Sequence, residues 1–113
     1  MVETTYTPSR GDVVWINFNP TKGREQGGSR PALVVSPQSY NERVGLMLAC
    51  PITSKIKGYP FEVVISIHDI EGVVLVDHIR SIDWVCRSVN LVGRCDEETL
   101  EEVRHKLTVL INE

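Results

Sequence analysis

Six short apolar runs, at about 12 to 18, 31 to 36, 45 to 52, 61 to 67, 73 to 76 and 78 to 85, set what this chain can fold into. Together they are rich in Val and Ile, each is short, and Gly, Pro, Asn or charged turns separate them. The fold read from this pattern is mostly β. Gly72 is expected in the turn after His68-Asp69-Ile70-Glu71, and Gly93 is expected to end a last β segment at Leu91-Val92. The C-terminus follows another rule. Asp96 is a good helix N-cap, Glu97 and Glu98 suit the positive end of the helix dipole, and Leu100, Val103, Leu107 and Leu110 recur at helical spacing. One amphipathic helix is therefore expected to close the chain with its apolar stripe in the core. With 113 residues, 42% of them hydrophobic, residues 1–113 form one domain around one core.

Several functional classes drop out. No stretch approaches the ~20 consecutive apolar residues of a membrane span. The N-terminal MVETTYTPSR has neither a basic nor an apolar signal region. No membrane partner is expected, and the expected compartment is the cytoplasm. Cys50, Cys86 and Cys95 are odd in number and lack C-x-x-C spacing, so they are read as structural thiols. His68, His78 and His105 are scattered, and no metal or other cofactor is implied.

Charge is unevenly spread. Between Thr21 and Lys57 lie six basic residues (Lys22, Arg24, Arg30, Arg43, Lys55, Lys57) and two acidic ones (Glu25, Glu42), a local +4 that leaves −7 for the rest of a chain with net charge −3. Such a local cationic face can hold a short single strand of nucleic acid with strong salt dependence.

Half of those basic residues lie in one segment, GDVVWINFNPTKGREQGGSRPALVVSP at 11 to 37. Two apolar strand-like runs flank a connection far longer than a tight hairpin. It opens on Asn19-Pro20 and contains Gly23, Gly27 and Gly28. Long loops in small domains are functional or disordered. Pro31 holds the backbone extended just after Arg30, which anchors that arginine at the edge of a rigid element. Trp15 and Phe18 are oddly spaced, so they face opposite sides of a regular strand and only one of them is certainly core.

Together with CPITSKIKGYPFEVVI at 50 to 65 and GVVLVDHIRSIDW at 72 to 84, this segment resembles the MazF/PemK/Kid family of toxin endoribonucleases. The resemblance runs from about Arg10 into the C-terminal helix. It implies a compact SH3-like barrel shared with the gyrase poison CcdB, and a homodimer with single-stranded RNA, chiefly mRNA, bound across a groove at the interface. It also implies a cognate MazE-like antitoxin that neutralises the toxin through an acidic, extended C-terminal segment. The activity implied is sequence-specific, metal-independent cleavage to 2′,3′-cyclic phosphate and 5′-hydroxyl ends.

RNA is cleaved without metal when its 2′-hydroxyl attacks the adjacent phosphate. An enzyme then supplies a base, positive donors for the pentacovalent oxygens and a proton for the leaving oxygen. A guanidinium is a charged, planar fork of donors, so Arg30 fits the second task. The resemblance places a catalytic arginine there and a catalytic threonine at Thr53, whose hydroxyl would donate to a phosphoryl oxygen or align the 2′-hydroxyl. The plain alternative for Thr53 is a strand-end residue capping its own backbone. Glu25 either acts as base, orients Arg30 or is a solvated loop charge. Lys22, Arg24, Ser54, Lys55 and Lys57 extend the cationic surface, and Phe18 offers a face for base stacking.

In the Kid branch an aspartate and a histidine join the arginine. Here Asp77 and His78 adjoin, and His78 is assigned to RNA binding rather than to the base. Arg80, read as two residues along the same strand, is expected to face the same side as His78 and to contact RNA, or else to pair with Asp83 or Glu62. The competing class is a non-enzymatic gyrase poison or interaction module on the CcdB-like fold. Such relatives depend on a tryptophan near the C-terminus, whereas this chain ends KLTVLINE with its two tryptophans at 15 and 84.

Overall fold

A computed structural model of the chain describes residues 6–17 and 29–113. Among them seven strands form one curled antiparallel sheet: β1 (Asp12–Asn17), β2 (Ser29–Val34), β3 (Met47–Thr53), β4 (Glu62–Ile67), β5 (Ile70–Leu75), β6 (Arg80–Ile82) and β7 (Val89–Arg94). Two helices complete it, α1 (Gln38–Val44) and α2 (Glu97–Asn112). The spatial order is β4-β5-β3-β2-β1-β7, with β6 paired to the first half of β3. The expected mostly-β fold with a C-terminal helix is what forms.

The central strands are buried on both sides, which explains their continuous apolar runs. Val13, Leu33, Cys50, Ile52, Val63, Ile65 and Val74 pack on one side and are covered by Val103 of α2. Val14, Ile16, Ala32, Val34, Met47, Ala49 and Ile82 form a second cluster on the other. Burial pushes the Cys50 thiol up to about 12, so it stays neutral in its apolar site. Cys86, by contrast, is exposed rather than packed.

Asp96 caps α2 as expected, its carboxylate accepting from Thr99 N–H at 3.0 Å. The apolar stripe is core through most of its length. Leu100 and Val103 are buried, Leu107 packs partly buried against the same core, and Leu110 is exposed.

Several sequence expectations are corrected. The turn between β4 and β5 is His68-Asp69, with His68 at φ 52°, and Gly72 lies inside β5 opposite Ile65. Glycine is required there by close approach: a Cβ on Gly72 would stand 2.1 Å from the Thr53 carbonyl oxygen. Gly93 likewise lies inside β7, where a Cβ would meet Ile67 Cδ1 at 3.1 Å and His68 Nε2 at 3.2 Å, so the far edge of the sheet curls onto the β4–β5 turn.

The run 78 to 85 is not one strand. A 3-10 turn spans Val76–His78, β6 follows, and Asp83 Oδ1 accepts from Cys86 N–H at 3.0 Å to hold the next turn. Helix α1 was not anticipated, and the strand expected from 45 begins at Met47. Gly45 ends that helix in the left-handed region at φ 82°, donating to the Asn41 carbonyl. Only Asn41 of α1 is buried, its amide donating to Pro8 O at 2.8 Å, so no apolar stripe announces the helix.

Trp15 proves to be the outward residue of β1, 36% exposed between the buried Val14 and Ile16. Phe18 lies outside the described residues.

The N-terminal segment is held by a carboxylate. Asp12, nearly buried, accepts from the Tyr6 hydroxyl, from Ser9 N–H at 3.0 Å and from Arg94 Nη1 at 2.8 Å. Burial, and then this hydrogen bond, hold the Tyr6 phenol far above its ordinary value.

Candidate active site

Arg30 belongs to β2 and faces Ile16 of β1. On its other side β2 pairs with β3 through Val34–Ala49, Leu33–Cys50 and Ala32–Pro51. Arg30 and Thr53 each lie two residues beyond the last of these pairs. The recorded ladder stops before that point. Pro31 carries no N–H, so it cannot donate to Ile52 to extend the pairing. Thr53 instead pairs with Val73 on β5. Arg30 and Thr53, the two residues assigned to catalysis, therefore lie on adjacent strands, Arg30 in the β1–β2 ladder and Thr53 in the β3–β5 ladder.

Thr53 Oγ1 accepts from Lys55 N–H at 3.1 Å. This is the local cap of the plain alternative, and it is compatible with the functional one. The acceptor bond fixes the side chain and leaves the hydroxyl hydrogen to donate outward.

Thr53 lines a cavity of about 330 Å³ with Lys55, Lys57, Tyr59, Glu62, Leu75 and His78. Glu62 orders the lysine loop, its carboxylate accepting from the N–H groups of Gly58 at 2.9 Å and Lys57 at 3.1 Å. Gly58, at φ 78°, supplies the backbone angle that this wrapping needs. The Tyr59 hydroxyl donates to Asp77 Oδ2, and this bond holds the exposed phenol above its ordinary value, so Tyr59 remains a donor. Asp77 Oδ1 has no hydrogen-bond partner among the described residues and lies 4.0 Å from His78 Nε2.

Arg80 goes elsewhere. His78 sits in the 3-10 turn and Arg80 on β6, so they do not share a strand face as expected. Arg80 faces Ala49 and, with Arg30, borders a small groove of about 60 Å³ floored by Ile16, Ala32, Pro51 and Ile82. Two arginines on an apolar floor suit a phosphate with its ribose. The carboxylates offered as alternative partners for Arg80 both hold backbone N–H groups, Glu62 in the lysine loop and Asp83 in the turn after β6.

The structure thus gathers Thr53, Lys55, Lys57 and His78 around one cavity and Arg30 with Arg80 around a neighbouring groove. Ser54 borders the opposite side of Thr53. Glu25, Phe18, Lys22 and Arg24 lie outside the described residues. The sequence reading did not place Tyr59 or Glu62 at the site. The one available signal was a carboxylate five residues beyond Lys57 in a Gly-containing loop. Among the described residues no three His, Cys, Asp or Glu side chains group as a metal site.

Comparison with known proteins bears on this arrangement. Residues 9–111 match a family model described as the PemK-like, MazF-like toxin of type II toxin-antitoxin systems. The chain is 46% identical over 106 residues to the endoribonuclease toxin MazF of Escherichia coli K12, spanning 94% of this chain and 96% of that relative. A crystal structure of MazE-MazF from Deinococcus radiodurans matches with a TM-score of 0.88 at 51% identity, covering 96% of this chain and 98% of that one. An endoribonuclease from a mycobacterial species, only 20% identical, shares the fold with a TM-score of 0.75 over 97% of this chain and 96% of its own.

Proposed function

This chain belongs to the family of PemK-like, MazF-like toxins of type II toxin-antitoxin systems, and from that premise we propose that it is an endoribonuclease that cuts single-stranded RNA, chiefly mRNA, and so halts translation. The observation that carries the reading is that Arg30 and Thr53 lie on the paired strands β2 and β3, each two residues beyond the Ala32–Pro51 pair. A phosphate seated between them meets a fixed fork of donors and a hydroxyl donor.

In the proposed mechanism the 2′-oxygen attacks the adjacent phosphorus while its proton passes to a base, assigned to Glu25. The P–O5′ bond breaks and the departing oxygen takes up a proton. The products are a 2′,3′-cyclic phosphate and a 5′-hydroxyl, and no metal takes part. Arg30 stabilises the charge that grows on the phosphoryl oxygens, and Thr53 donates to one of them or aligns the 2′-hydroxyl. Lys55 and Lys57 hold neighbouring phosphates as point charges, and His78 borders the same cavity. Lys22, Arg24 and Phe18 are assigned to RNA binding, as are Ser54 and Arg80.

The protein is proposed to act as a homodimer in the cytoplasm. No helix among the described residues is long and apolar enough to cross a membrane. Its partner is a MazE-like antitoxin, with an acidic extended segment laid over the same cationic surface, where coupled folding and binding is physically reasonable.

The test is cleavage of a long single-stranded RNA in EDTA by wild type, Arg30→Ala and Thr53→Val, with end-group analysis. Wild type is expected to give discrete fragments ending in cyclic phosphate, and Arg30→Ala to be slower by about 100- to 1,000-fold. Failure of folded, antitoxin-free wild type to cut diverse RNAs overturns the reading. Fragments ending in 3′-hydroxyl overturn the proposed chemistry.

A further inference from the structure

Thr53 borders two cavities that differ in charge. The first, already described, carries Lys55, Lys57 and His78 beside a single carboxylate, Glu62. The second, an open groove of about 450 Å³, is bordered by Trp15, Pro31, Thr53, Ser54, Asp69 and Glu71. Trp15 and Pro31 face each other across the β1–β2 ladder, so the indole has a flat, rigid neighbour. The indole is 36% exposed where the strand residues on either side of it are buried, an arrangement that gives up packing to leave an aromatic face open to the groove. Asp69 lies in the tight β4–β5 turn and Glu71 just after it in β5, and both are exposed.

A phosphodiester held at Thr53 has two ways to lie. Its charged backbone favours the lysine cavity and is repelled by Asp69 and Glu71. A base projecting from the adjacent sugar meets the reverse conditions. It is neutral, it stacks on aromatic faces, and an exocyclic amino group on its edge donates to a carboxylate. Uracil has no amino group and turns two carbonyl oxygens towards such an acceptor.

We propose that the groove between Trp15, Pro31, Ser54, Asp69 and Glu71 is a base-binding subsite, stacking the nucleobase beside the cleaved phosphate on Trp15 and selecting one that carries an exocyclic amino group. The inference rests on the nuclease reading for the position of the phosphate. It assigns part of the cut-site specificity to the β4–β5 turn, on the far side of Thr53 from the lysines.

The test uses Trp84→Phe protein, in which Trp15 is the only tryptophan of the two in the chain, titrated with 2′-deoxy oligonucleotides of A, C or U, which bind but lack the attacking hydroxyl. Fluorescence reports stacking on Trp15, anisotropy reports binding of any kind, and cleavage of ordinary RNA is followed in parallel. The A and C strands are expected to quench Trp15 and to bind at least about fivefold tighter than the U strand. Replacing both carboxylates, Asp69→Asn with Glu71→Gln, is expected to bring the three within about twofold of one another. Trp15→Leu is expected to weaken binding about tenfold, the size of a lost base–aromatic stack.

Binding without quenching, or an unchanged preference after both carboxylates are neutralised, overturns the subsite. Cleavage without quenching overturns the subsite and leaves the nuclease standing. Quenching with the stated preference but no cleavage leaves the subsite and overturns the nuclease. Binding of no strand at all overturns both.

Discussion

Replacing Gly72 with alanine probes how tightly the fold holds Thr53. An ideal Cβ at position 72 lies 2.1 Å from the Thr53 carbonyl oxygen, 2.8 Å from its carbon and 3.0 Å from Ser54 Cα. An ordinary C···O contact is about 3.3 Å, so one partner has to retreat by roughly 1.2 Å. All three atoms are backbone, and Thr53 is paired to β5 at Val73, so no flexible side-chain tip can absorb the shift. Overpacking of this kind costs about 1–3 kcal/mol. At a middling 2 kcal/mol, Tm falls by about 10 °C for a domain of this size. The larger effect is expected in catalysis, because a catalytic group displaced by about 1 Å costs on the order of 100-fold in rate. The lysine loop is held by the Glu62 carboxylate as well as by Thr53, so the loss is expected mainly in kcat, with KM held within about threefold. Steady-state cleavage of a short RNA, paired with calorimetric unfolding, measures both. A folded Gly72→Ala protein whose kcat lies within about threefold of wild type refutes the reasoning, since Thr53 would then be either unmoved or idle.

Two further outcomes follow from the packing. Asp12→Ala removes the acceptor of Tyr6, Ser9 and Arg94 together and is expected to cost about 2–4 kcal/mol in urea unfolding, discounted for the half-exposed Arg94. The Tyr6 phenol, relieved of that partner, then titrates nearer its ordinary value by ultraviolet absorbance. Hydrogen bonds from the Thr99 side chain, and then from its backbone N–H, lower the Asp96 carboxyl below its ordinary value. Its contribution is therefore complete above the unfolded value of about 3.9 and is lost as pH falls through the lower folded value. Circular dichroism is expected to show α2 fraying in that acid window in wild type, and already at neutral pH in Asp96→Ala.

What the sequence displayed is what local rules govern. Asp96 with Leu100 and Val103 announced α2 because a cap and a repeat are both encoded within a few residues. The buried strands were legible as Val- and Ile-rich runs for the same reason. Gly72 was misplaced because its cause is the Thr53 carbonyl on another strand, and no neighbour in sequence reports that contact. Helix α1 escaped because a seven-residue helix with only Asn41 buried has no apolar period to detect. His78 and Arg80 were joined on one strand because a 3-10 turn leaves the apolar pattern of VDHIRSIDW unbroken while rotating its side chains apart. At the candidate site, residue types pointed to phosphate chemistry. That Arg30 and Thr53 lie on adjacent strands depends on strand pairing, and pairing is set by partners far away in the chain.

The account's central claim is that Arg30 and Thr53 act together on one phosphate, and a double-mutant cycle on single-turnover RNA cleavage tests it most directly. Residues that serve one transition state are strongly non-additive. The double variant Arg30→Ala/Thr53→Val is therefore predicted to cleave little more slowly than the worse of the two single variants. Losses that simply multiply would mean that the two side chains work independently, and would contradict the claim.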